Sequence, residues 1–162
     1  DTKNFVLKTG ARTFEAAAYL RRKGANTVNV KRMFSDSLDA YKAKYKIVSN
    51  AEIFGRFAVA STEKEFQDIR IASAQAAEEL LSIQGIDASF VLFPAGDVIN
   101  ISARSLGDVN VQLIMEALGG GGHLTMAGAQ LSGLTVAEAR KRLIAAIRDF
   151  TEKTSNHSNE MN

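Results

Sequence analysis

Four consecutive glycines and a histidine, Gly119-Gly120-Gly121-Gly122-His123, form the run in this sequence that most needs a chemical reason. Glycine loses more backbone freedom on folding than any other residue, so four in a row are costly unless the fold or a ligand requires them. A helix C-cap accounts for one, Gly119 after Leu118. For the rest, the explanations are close approach of another backbone or of a ligand, to which successive N–H groups offer a concave anion site. Flexible linkers also contain glycine tracts, but this one is flanked by a helical pattern and by the apolar-bearing segment Leu124 to Leu131. His123 is the first side chain after the run. An imidazole there can donate to a phosphate or a base and become cationic beside an anion, although a lone histidine is more often structural. Arg104 offers a planar fork suited to phosphate oxygens, although one arginine on a strand is more often a surface residue. His157, in a polar tail, receives no role.

The composition narrows the chemistry further. With no cysteine, disulfides and thiolate catalysis are excluded, and a metal site would need His, Asp, Glu or main-chain oxygen. Two histidines cannot make an all-histidine site. The 162 residues are 46% hydrophobic and 23% charged, as expected of one soluble domain with a short appendage. No stretch approaches the roughly 20 apolar residues of a membrane-spanning helix, and the first ten are too polar for a signal peptide. The net charge of +2 is unevenly placed: residues 1–50 carry 11 Lys and Arg against 4 Asp and Glu, and residues 51–162 carry 9 against 14. The basic third reads as a solvated helical surface, with Arg21, Arg22 and Lys23 at a helix C-terminus, or as a face for an anionic ligand or lipid.

Several elements must position these residues. Helical spacing runs from Thr13 to Lys23, with Gly24 as a left-handed stop, and again from Asp36 to Ser49. Arg56 to Ser61 alternates as a strand. Thr62-Glu63-Lys64-Glu65 has the form of a capping box opening a helix that ends at Gly85. Ala88 to Pro94 is a continuous apolar run, expected as a strand covered on both faces, with a turn at Ala95-Gly96-Asp97. The second strand of that hairpin, Val98 to Ser105, puts Ile99, Ile101 and Ala103 on one face and Asn100, Ser102 and Arg104 on the other. A short helix over Val109 to Leu118, the glycine loop, a strand from Met126 to Leu131 and a helix opened by Thr135-Val136-Ala137-Glu138 follow. Thr151 to Asn162 is polar without periodicity and is expected to fray. The expected fold is α/β, a mixed sheet of about four to five strands with flanking helices, preceded by a short helical segment.

Taken together, Ile101-Ser102-Ala103-Arg104-Ser105, the helix after it, the glycine run with His123, and Ala127-Gly128-Ala129 resemble the DHH-associated domain of the DHH phosphoesterases. Asp1-Thr2-Lys3-Asn4-Phe5 resembles the last metal-binding motif of the preceding DHH domain. With Thr9-Gly10 and Arg12 to Ala17, it is most similar to the GdpP (YybT) type, the membrane-anchored cyclic di-AMP phosphodiesterases of Firmicutes. The resemblance implies that residues 1–50 are the end of a DHH domain with connecting helices, residues 51–150 the substrate-binding domain, and 151–162 a tail. It implies that Arg104, Gly119, Gly120, Gly121, Gly122 and His123 grip the nucleotide and that Asp1 ligates one of two manganese ions. The reaction implied is hydrolysis of cyclic di-AMP to linear pApA at the cytoplasmic face of a membrane. The DHH triplet and the other aspartate motifs are not in this sequence, so the chain alone is expected to be inactive. Two rival readings stay open: an oligoribonuclease or single-strand exonuclease of the same superfamily, and a non-catalytic nucleotide-binding or dimerisation module, for which the helix over Glu65 to Gln84 could form a homodimer seam.

Overall fold

The computed structural model describes Thr2, Phe5, Val6 and residues 8–159, with side chains as far as Thr154. Asp1 lies outside the described residues. The chain divides into two compact units, Asp1–Ser37 and Leu38–Asn162.

The first unit carries α1 (Ala11–Arg22) and α2 (Thr27–Met33). Gly24, at φ +99°, ends α1 as the sequence leads one to expect. The Asn26 side chain then accepts from the N–H groups of Val28 and Asn29 and so caps α2. Neither helix buries a residue; Phe14, Leu20, Met33 and Phe34 are all exposed.

The second unit is a six-stranded sheet between two helical layers. Its elements are α3 (Leu38–Val48), β1 (Glu52–Phe54), β2 (Phe57–Ser61), α4 (Ile69–Leu80), β3 (Ala88–Ala95), β4 (Val98–Ser105), α5 (Val111–Glu116), β5 (Gly121–His123), β6 (Met126–Ser132) and α6 (Val136–Asn159). The strand order is β1-β2-β3-β4-β6-β5, and only β2 and β3 pair in parallel. That one parallel step is bridged by α4, since parallel neighbours need a long crossover. Alternation along the strands sorts the interior into two clusters. On one face Phe90, Leu92, Ile99, Ile101 and Ala103 pack with Ile114 and Met115 of α5 and Leu143 of α6. On the other, Ala58, Ala60, Val91 and Phe93 pack with Ala72, Ala76 and Leu80 of α4 and Ile47 of α3. β3 contributes to both, which explains its unbroken apolar run.

The expected α/β mixed sheet is present, with one or two more strands than the sequence suggests. β1 is three exposed residues joined to β2 across Gly55-Arg56, too short and too wet to give a pattern. β5 lies within the glycine run itself, so half of the expected loop is strand. The Thr62 to Glu65 capping box does not form. Thr62 N–H donates to Leu92 O at 3.0 Å, extending the β2/β3 ladder, and Glu65 Oε2 accepts from Gly96 N at 3.1 Å, holding the β3/β4 turn. Both groups are committed elsewhere, and α4 begins after Asp68. The second capping box is real: Glu138 Oε2 accepts from Thr135 N at 2.8 Å, and Glu138 N donates to Thr135 Oγ1 at 3.2 Å. The helix it opens runs through Asn159 where fraying was expected. Thr151 and Thr154 hydroxyls donate to the carbonyls of Ile147 and Phe150, four residues back.

Candidate functional site

On the face covered by α3 and α4, the helices shield β2 and β3 but stop at β4. What lies beyond is the polar stripe Asn100, Ser102, Arg104 and the facing residues of β6 and β5. Register arranges these in rows: Arg104, Met126 and His123 form one, Ser102, Gly128 and Gly121 the next, and Asn100 pairs with Gln130 in the third. A hollow of about 670 Å³ occupies this open face. Its lining combines Arg70, Asn100, Ser102, Arg104 and Gln130 with the backbone of Gly119, Gly120 and Gly128, and no carboxylate lines it. His123 is exposed on the edge strand, outside the lining but in the row of Arg104.

Two contacts fix the arginines, both made by α4. Arg70 Nη1 donates to Asn100 Oδ1 at 3.0 Å, and Glu78 Oε2 stands 3.8 Å from Arg104 Nε. Eight residues of helix rise about 12 Å and four residues of strand about 13 Å. A helix lying along β4 therefore meets Asn100 with one side chain and Arg104 with another eight positions on. Arg104 is only 13% exposed, and its Nη1 also donates to Ser102 Oγ at 3.2 Å and Ala103 O at 2.8 Å. Burial lowers the guanidinium's pKa from its ordinary value, and the Glu78 carboxylate opposes that shift. Asn100, 4% exposed, is locked from the other side by Gln130 Nε2 at 3.0 Å.

The four glycines are not equivalent. Gly119, at φ +77°, ends α5. A Cβ on Gly120 would run into Gly128 O and Ala129, and one on Gly122, at φ +149°, into Ala127. Gly121 has neither constraint. A Cβ there would meet nothing within 4 Å. Its missing side chain faces the open row beside Gly128 and Ser102, and no contact within this chain requires a glycine there.

Residues 55–153 match the model of the DHHA1 domain. The chain belongs to that family. Over 155 residues it is 50% identical to the cyclic-di-AMP phosphodiesterase GdpP of Geobacillus thermodenitrificans, covering 94% of this chain and 23% of that protein. It is 47% identical over 149 residues to the cyclic-di-AMP phosphodiesterase PdeA of Listeria monocytogenes, covering 91% and 23%. The chain thus spans about a quarter of the length of these relatives. An exopolyphosphatase-related protein of Bacteroides fragilis has the same fold, with a TM-score of 0.73 at 24% identity over 89% of this chain and 44% of its own.

The structure brings Arg104, Gly119 and Gly120 to the hollow of this DHHA1 domain, Gly121 and His123 to the same face, and turns Gly122 towards the opposite one. Among the described residues no three His, Asp or Glu side chains are grouped to hold a metal ion. A hollow lined by two guanidinium groups and neutral amides does not fit a divalent cation either; its donors suit anions. Sequence reasoning missed Arg70, Glu78 and Gln130. Gln130 was legible, since it alternates with Met126 and Gly128 along β6. Arg70 and Glu78 were not, because on a helix half covered by core they read as solvated charges.

Proposed function

We propose that this chain is the substrate-gripping part of a phosphodiesterase that hydrolyses cyclic di-AMP to linear pApA, with residues 51–150 as the gripping domain. The observation that carries this reading is the open sheet face: an arginine-bearing hollow without carboxylates, beside a glycine whose side-chain space is empty, in a chain about half identical to cyclic-di-AMP phosphodiesterases. Its volume falls in the usual range for small-ligand sites, about 300–1,000 Å³. Arg104 supplies a fixed guanidinium for a phosphate, the Gly121 window admits the ligand close to the sheet, and His123 at the rim donates to a phosphate or base. Two manganese ions, with Asp1 among their ligands, belong in this reading to an upstream DHH domain at the cytoplasmic face of a membrane. Holding the nucleotide in a fixed pose supplies orientation, the part of catalysis that this chain's own residues can provide.

The deciding experiment compares hydrolysis of cyclic di-AMP and of short oligoribonucleotides by the full-length gene product with manganese. Preferential conversion of cyclic di-AMP to pApA is the expected result. Preferential oligoribonucleotide cleavage would transfer the site to an oligoribonuclease, and nucleotide binding without turnover would make it a sensing module.

A further inference from the structure

Of the two arginines on the open face, only one carries uncompensated charge. Arg104 faces Glu78 at 3.8 Å, and its Nη1 is already shared between Ser102 Oγ and Ala103 O. Arg70 is exposed, lines the same hollow, and among the described residues makes one hydrogen bond, to the neutral Asn100 Oδ1, and no ion pair. That leaves most of its five N–H donors available. The way it is held is the second observation. Asn100 is buried, and its Oδ1 also accepts from Gln130 Nε2 at 3.0 Å, while its Nδ2 donates to Val98 O at 3.4 Å. A carbonyl oxygen satisfied by two side chains from two other elements is a mount. It orients the guanidinium over the hollow without cancelling its charge, as a carboxylate would. Along β4 the mount stands four residues from Arg104, about 13 Å away.

We propose that Arg70, mounted by Asn100 and Gln130, is a second phosphate-gripping residue, which takes the dinucleotide's other phosphate at the end of the hollow remote from Arg104. The inference rests on the nucleotide-gripping reading above and adds to it a separate subsite and a division of labour. Arg104, neutralised by Glu78 and fixed in place, orients; Arg70 supplies the net positive charge that draws an anion in. Arg70 is a specificity residue in this arrangement, since a ligand with two phosphates engages both guanidinium groups and a mononucleotide only one.

The test is calorimetric titration of the full-length gene product with cyclic di-AMP and, separately, with AMP, at two salt concentrations. Arg70→Gln is expected to weaken cyclic di-AMP on the order of 10-fold or more, the scale of one charge-assisted hydrogen bond, and to flatten the salt dependence. AMP affinity should change far less. Arg70→Lys should recover part of the loss, because it restores charge without the fork. Asn100→Ala should weaken binding in the same direction with Arg70 still present. If the wild type binds cyclic di-AMP and Arg70→Gln binds it with unchanged affinity and salt response, this inference is wrong and the gripping reading survives. An equal loss for AMP would overturn the separate subsite. If the wild type binds neither nucleotide, both readings fall together.

Discussion

At the scale of single residues, the glycine run separates what a fold needs from what a ligand needs. Gly120 and Gly121 are neighbours of one type, yet a methyl group on the first collides with β6 and on the second points into open space. Gly120→Ala is therefore expected to destabilise the protein by about 1–3 kcal/mol, the usual cost of overpacking, seen as a lower Tm. Gly121→Val should leave Tm nearly unchanged and abolish nucleotide binding. Wild-type binding by Gly121→Val would reduce the whole run to backbone packing. That four glycines demanded explanation was visible in the sequence; which of them the fold itself requires was not, because the answer depends on strand register and not on spacing. Arg104 gives a second contrast. Arg104→Ala should weaken nucleotide binding by about 1.5–3 kcal/mol and also lower Tm, because Glu78, 31% exposed, loses the guanidinium beside it. Adding Glu78→Ala should restore much of the Tm and none of the affinity, a separation that a thermal melt and a titration of both variants would reveal.

Among the elements, β3 and β4 were legible to the residue, or nearly so, because burial on both faces and strict alternation leave direct traces in sequence. The two capping boxes show where local patterns stop being sufficient. Thr135 and Glu138 close theirs, whereas Thr62 and Glu65 have the same spacing but are recruited by Leu92 and Gly96, partners that only the folded sheet supplies. The α6 extension beyond Phe150 was hidden for the opposite reason: an exposed helix needs no apolar stripe, so it leaves no period. The box on α6 has a pH signature. The Thr135 backbone N–H, and then its hydroxyl, donate to the Glu138 carboxylate and hold its pKa below the usual glutamate value. A carboxylate lowered on folding contributes stability that is present above its unfolded pKa, about 4.3, and is lost as pH falls through the lower folded value. Wild type should therefore exceed Glu138→Gln in Tm at neutral pH, with the gap closing as pH falls below about 4. Thr135→Ala, which removes the reciprocal hydroxyl, should cost about 1 kcal/mol at neutral pH. A gap independent of pH would remove the carboxylate from the cap.

For the molecule as a whole, the two units differ in what they can do alone. The second has a core on each face of its sheet, and its hollow is built from its own α4, β3, β4 and β6 and the glycines before β5. The first, Asp1–Ser37, buries no residue of either of its helices and is too small to form a core of its own. The basic charge legible in residues 1–50 lies largely on these exposed helices and on α3, and does not line the hollow, whose cationic groups are two arginines from the less basic remainder, Arg104 offset by Glu78 and Arg70 not. Gross charge thus says little about the hollow, because local enclosure, not the sum over a segment, sets the field at such a site. From this follows a separation of binding from chemistry. The purified 162-residue chain is expected to bind cyclic di-AMP or pApA and to hydrolyse neither when manganese is added, because in the proposed reading the groups that would activate water belong to an upstream domain, and the hollow's own guanidinium groups repel cations. Binding should survive chelation of divalent metal and weaken steeply with added salt. Full-length gene product should bind comparably, hydrolyse with manganese, and lose hydrolysis, but not all binding, on chelation. Manganese-dependent turnover by the 162-residue chain would show that a catalytic centre lies within it, and the assignment of this domain to gripping alone would fail.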